Sequence, residues 1–169
     1  ILIISIASMF HVSAIIYFFA YIIYFFKHKF TNKMMLISII VACLLPIVGA
    51  SRFILLSLPK IGFITAKLAR YSDSHYGDSI EVISIINIKL LFFLLLFLFF
   101  RKKLSNKNVY FETMLFLFFL GVFFRIAFSD FAIIAGRLSS LLLIVEVMLI
   151  PMILDLFKQK LPILICILL

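Results

Sequence analysis

Long apolar runs separated by short charged stretches set the plan of this chain. The runs are Leu2–Phe26, Met34–Leu58, Ile80–Phe100, Phe111–Phe128 and Phe131–Leu156, and a further one starts at Leu161. A helix crosses the roughly 30 Å hydrocarbon core of a bilayer with about 20 apolar residues, so each of the five runs is long enough to span. The pattern predicts an all-α, polytopic helical membrane protein. It has five full transmembrane spans and the start of a sixth, in one bundle over 1–169. The connection at 59–79 is long and polar. Ser129–Asp130 reads as a tight turn between two antiparallel helices.

Composition supports lipid as the solvent. Hydrophobic residues make up 66% of the chain, against about 45–50% in an ordinary soluble domain. Phe occurs 22 times and Trp never. Cys43 and Cys166 lie in apolar runs and read as small hydrophobes, not as a disulfide or metal pair. The chain opens on Ile1 and closes inside LPILICILL, so it reads as an interior piece of a longer polytopic protein.

The basic residues orient the bundle. Lys27, Lys29 and Lys33 lie in the first connection, Arg101, Lys102, Lys103 and Lys107 in the third, and Lys158 and Lys160 in the fifth. Lys60, Lys67 and Arg70 lie in the second, and the fourth has none. Nine cationic residues on odd connections against three on even ones put the odd connections in the cytoplasm by the positive-inside rule. The 59–79 loop and the Ser129–Asp130 turn then face outward. The net charge of +9 is mostly this topology signal. No contiguous basic stripe exists to bind nucleic acid.

Four more cations, Arg52, Lys89, Arg125 and Arg137, lie inside the spans or at their outer ends. A charge at the bilayer centre costs roughly 3 kcal/mol or more, so such residues face a protein interior or a wet cavity, or snorkel to the interface. By helical rise all four sit in the outer half, with Arg137 about two turns below the outer end of its span. His11, about 24 Å above the cytoplasmic edge, joins them at that depth. Glu146 is placed deeper. It is about 180° round the helix from Arg137, so its polar partner lies elsewhere in the bundle. Ala132, Gly136 and Ser140 repeat at a four-residue spacing, the small-residue pattern of close helix contact, and this sets Arg137 beside a packed interface. Pro46 and Gly49 read as a kink in the second span. Arg125 and Arg137, in helices joined by a very short turn, are expected to line one outward-opening polar cavity.

The outer loop reads PKIGFITAKLARYSDSHYGDS. Ile64, Leu68 and Tyr71 fit one face of a short interfacial helix, with Lys67 and Arg70 on another side. Asp73, His75, Tyr76 and Asp78 follow. They are residue types that act as acids, bases or sugar hydrogen-bond partners, and equally those of a solvated loop. The chain has no P-loop, no paired CxxC, no HExxH and no acidic pair for a metal-bound nucleotide sugar. The reading therefore calls for no metal and no cofactor.

Two stretches carry a family resemblance. ASMFHVSAIIYF (Ala7–Phe18) resembles the His-bearing helix of Wzy-type polysaccharide polymerases, in their EpsG-like branch. GRLSSLLLIVEVMLIP (Gly136–Pro151) resembles their late helix, in which an Arg near the outer face precedes an apolar run, an acidic residue and Pro. The resemblance takes in most of this chain and the second half or so of a family member. It implies an enzyme of exopolysaccharide or O-antigen biosynthesis in the bacterial inner membrane. Such a polymerase joins saccharide repeat units carried on polyprenyl diphosphate, together with other membrane proteins of polysaccharide assembly. On that implication Arg137 and Arg125 hold the diphosphate, with Arg52, Lys89 and Arg70 behind them, and His11 is a further substrate-binding candidate. His75, Asp73 and Asp78 are the candidate bases for the attacking hydroxyl. The rival readings are a flippase of the same lipid-linked saccharides and a truncated, non-enzymatic membrane protein. A flippase should show internal repeats and cations through the full depth of the membrane, and neither is present.

Overall fold

The computed structural model describes residues 30–49 and 81–156, the isolated positions 22 and 25, and residues 133 and 134 by their backbone alone. These residues form helices and turns and no strand: α1 (Asn32–Ile47), α2 (Ile85–Phe99), α3 (Arg101–Lys107), α4 (Phe111–Ala127), α5 (Ala132–Leu143) and α6 (Glu146–Leu156). Local chemistry sets the starts. Thr31 caps α1 by accepting from the Met34 N–H at 3.3 Å. Ser84 caps α2 by accepting from the Asn87 N–H at 3.3 Å. A side-chain oxygen at this position satisfies one of the orphan N–H groups of the first turn.

The caps and breaks change three of the predicted elements. The third run is helical only from Ile85, because Ser84 ends the extended approach. In the second run α1 stops at Ile47, one residue past Pro46, and Gly49 takes φ +68 with its N–H on the Pro46 carbonyl at 3.0 Å; the rest of that run, and with it the expected kink, lies outside the described residues. Glycine enters that left-handed region without steric penalty, which makes it the common residue just past a helix C-terminus. The fifth run is two helices, α5 and α6, with Ala135–Leu143 of the first meeting Glu146–Leu156 at 43°. No proline or glycine marks that break. Ile144 and Val145 stand there, β-branched residues of only middling helix propensity.

Among the described residues no single helix is long and apolar enough to cross a membrane. The bent α5–α6 pair has the length and composition to cross as a unit. A straight helix the length of α2 rises only about 22 Å, short of a bilayer core of about 30 Å.

α4 is the centre of the bundle and packs against each of the other five helices. Phe111, Leu115, Phe118, Val122 and Ile126 are fully buried along it. Met35, Ile39 and Ala42 of α1 and Leu90, Leu94 and Phe97 of α2 meet it at helical spacing. Phe97 and Phe118 pack edge to face at 5.2 Å. The outer faces of α1 and α2 are apolar as well: Ile37, Ile40, Leu44, Ile85, Phe92 and Phe99 are all exposed. A helix apolar on both faces is one whose outer side meets lipid or further protein.

The α4–α5 contact uses a different face from the one the small-residue spacing predicts. Ala135, Ser139 and Leu142 are buried. Ser140 is exposed, and nothing lies within 4 Å of where a Gly136 Cβ would stand. The close approach is provided from the other side. A Cβ on Gly121 of α4 would lie 2.8 Å from Leu143 Cγ and 3.2 Å from Leu142 Cβ. Gly121→Val should therefore force α5 away and destabilise the bundle by about 1–3 kcal/mol. Lower thermal stability of the purified protein in detergent checks this, and an unchanged melting curve would refute it.

Polar contacts gather the helix ends into two groups. Asn32, Leu98, Arg101 and Glu112 meet at one end, and Lys107 meets Asp155 at 2.6 Å. Ser84, Asn87 and Arg125 meet elsewhere, where α2 starts and α4 finishes. The grouping agrees with connections that alternate between two sides.

Candidate functional site

Arg125 stands in the last turn of α4, where a cation is favoured by the helix dipole. It is half-buried, and its Nε donates to Oδ1 of Asn87 on α2 at 2.9 Å. Asn87 is 1% exposed. Its Nδ2 donates to the carbonyls of Glu81 at 3.1 Å and Val82 at 3.0 Å. The amide is thus satisfied on both sides, and Arg125 is tied to the stretch that leads into α2. With Nε engaged, the edge formed by the two Nη nitrogens is the part of the guanidinium suited to gripping an oxyanion in a bidentate way.

Lys89 lies two residues along α2. Its Nζ pairs with Glu146 Oε1 at 2.8 Å and sits 5.7 Å from the centre of the Phe93 ring. Glu146 opens α6, directly after the break from α5. This is the partner that helical phase denied Glu146 on its own helix. The pair brings together a cation placed in the outer half and a carboxylate placed deeper, which a long lysine reaching along the bundle and the α5–α6 bend make possible. Its Lys89 side is 54% exposed, so the pair itself contributes little stability.

Arg137 is exposed on α5, on the side away from the buried Ala135–Ser139–Leu142 face. Among the described residues it makes no contact with Arg125. Arg125 turns instead to α2. The physical reason is the helical phase of α5: two positions on from Ala135 is about 200° round the helix. His11, Arg52, Arg70, Asp73, His75 and Asp78 lie outside the described residues. Among the described residues no group of three or more His, Cys, Asp or Glu side chains is placed to hold a metal ion.

Sequence reasoning missed the two best-satisfied polar groups. Asn87 was passed over beside Lys89, although a buried amide in an apolar helix is as informative as a charge. Glu112, a lone acid just inside an apolar run, drew no notice either. It forms a closed pair with Arg101: Nε donates to Oε1 at 3.0 Å and Nη2 to Oε2 at 2.6 Å, while Nη1 donates to Asn32 Oδ1 at 2.6 Å. The pair's side chains are 15% and 10% exposed. With its donors engaged at the starts of two other helices, α1 and α4, this arginine is structural.

Comparison with known proteins adds the family. The chain is 29% identical over 127 residues to the amylovoran biosynthesis protein AmsC of Erwinia amylovora, a match covering 74% of this chain and 34% of that protein. The matched stretch is therefore about a third of that relative's length. No solved structure matches significantly. The EpsG family matches across residues 1–169. The family resemblance read from the stretches around His11 and Arg137 is thereby confirmed, and the chain belongs to the EpsG family.

Proposed function

We propose that this chain is the later part of a membrane-embedded polysaccharide polymerase. It joins saccharide repeat units carried on polyprenyl diphosphate at the outer face of the bacterial inner membrane. The observation that carries the reading is the EpsG match over the whole length, beside a relative named for the biosynthesis of a polysaccharide. The chemistry of the described residues is compatible with it. The apolar outer faces of α1 and α2 suit contact with lipid and with a polyprenyl tail. Arg125, fixed by Asn87, offers a guanidinium edge to a diphosphate and stabilises charge on it as it leaves. Arg137, exposed on α5, is a further cation for the lipid-linked substrate, apart from the Arg125–Asn87 contact. Lys89, Arg52 and Arg70 are reserve cations, His11 is a further substrate-binding residue, and His75, Asp73 or Asp78 accepts the proton of the attacking hydroxyl. The reaction needs no metal on this reading.

The full-length protein in proteoliposomes, supplied with polyprenyl-diphosphate-linked repeat units and EDTA, should build chains resolvable on a gel. Arg125→Ala should slow chain growth about a hundredfold at equal protein level, the effect of removing one donor that stabilises transition-state charge. Undiminished growth would remove Arg125 from the site. Transfer of intact repeat units across the bilayer without joining them would overturn the polymerase in favour of a transporter.

A further inference from the structure

Asn87 makes contacts that reach beyond its own helix. Its Nδ2 is used by two carbonyls, those of Glu81 and Val82, and its Oδ1 by Arg125. The orientation of the amide is not ambiguous. Turning it over would set its nitrogen against the Arg125 N–H and its oxygen against two carbonyl oxygens, so that every contact became repulsive. The residue is 1% exposed, and its own backbone N–H is held by the Ser84 cap. Asn87 is thus rigid, and it acts on Arg125 at one atom, Nε. Engaging Nε restricts the guanidinium and leaves the edge formed by its two Nη nitrogens for another partner.

We propose that Asn87 is the positioning residue for Arg125, setting the guanidinium plane so that its Nη edge meets the diphosphate of the lipid-linked substrate. The inference rests on the reading of Arg125 as a diphosphate ligand. It gives that reading a mechanism: an arginine whose planar fork is oriented before substrate arrives loses less freedom on binding. Because the same amide grips Glu81 and Val82, the segment entering α2 is held in register with the arginine.

The test is a double-mutant cycle on the full-length protein: wild type, Asn87→Ala, Arg125→Ala and the two together. Two quantities are measured, binding of polyprenyl diphosphate in detergent micelles and protein abundance in the membrane. Asn87→Ala should weaken binding about tenfold or more, the effect of losing one hydrogen bond to a charged group. In the Arg125→Ala background it should change binding little, because a residue that works through another loses its effect when that other is gone. Asn87→Asp repeats the cycle with an isosteric side chain. It should also weaken binding, by drawing the arginine into an ion pair, and only while Arg125 is present. An equal loss from Asn87→Ala in both backgrounds overturns the inference and leaves the reading of Arg125 intact. Normal diphosphate binding by Arg125→Ala overturns both. A position at which neither substitution accumulates is structural, which also overturns the inference.

Discussion

Glu112→Ala should abolish accumulation of this protein. The carboxylate is 10% exposed and meets Arg101 through two nitrogens, and Arg101 in turn reaches Asn32. Removing one partner of a buried pair strands the other charge, and typically costs about 3–5 kcal/mol. Total stability of a domain is commonly only about 5–15 kcal/mol, so the loss decides whether the bundle persists. Arg101→Ala should be no milder in kind. It exposes Glu112 and also leaves Asn32 without its donor. The paired change Arg101→Met with Glu112→Leu should recover much of the lost abundance, since apolar residues of similar volume commonly replace a buried ion pair at little cost. Immunoblots of membrane fractions, with melting curves for the variants that accumulate, read all three. Full abundance of Glu112→Ala would show that the pair carries no structural weight.

Arg137→Ala should give the second large effect, of a different kind. If Arg137 holds the leaving diphosphate, loss of that contact costs about 3–4 kcal/mol in the transition state, or a few hundredfold in rate. Protein level should stay normal, because the side chain is exposed and lies away from the buried face of α5. Unjoined lipid-linked repeat units should accumulate. Arg137→Lys should recover only part of the activity, since an ammonium keeps the charge and lacks the planar fork. Polymer length on a gel, normalised to membrane protein, separates this from a packing role. Normal polymer from Arg137→Ala at normal abundance would take Arg137 out of the mechanism.

Helical character and the alternation of connections were legible because they depend on run length and on where lysine and arginine collect. The clustering of Asn32, Arg101, Glu112, Lys107 and Asp155 near helix ends agrees with that pattern. Which face of each helix turns inward was not legible. In α5 nearly every residue is apolar or small, so the Ala132–Gly136–Ser140 stripe and the Ala135–Ser139 stripe look alike until α4 is present. Gly121 on the partner helix decides between them. The α5–α6 break escaped notice because Ile144 and Val145 carry no strong stop signal. Pairings such as Lys89 with Glu146 depend on helix order in space, which periodicity does not encode. Of the candidate site, Arg125 was found by its charge and Asn87 was not, because a neutral amide makes no mark on a charge pattern.

The central position of α4 has a consequence for biosynthesis. α1, α2 and α3 all precede it in the chain, and each needs it as a packing partner. At about 5–20 residues per second, the ribosome adds Arg101 roughly a second before Glu112. For that interval the arginine has the Asn32 oxygen but no carboxylate to close on. The earlier helices therefore wait with their α4-facing sides uncovered until α4 emerges. Translation pauses between α3 and α4 would lengthen the exposure, so codon choice across Lys107–Phe111 should affect yield where the same change within α4 does not.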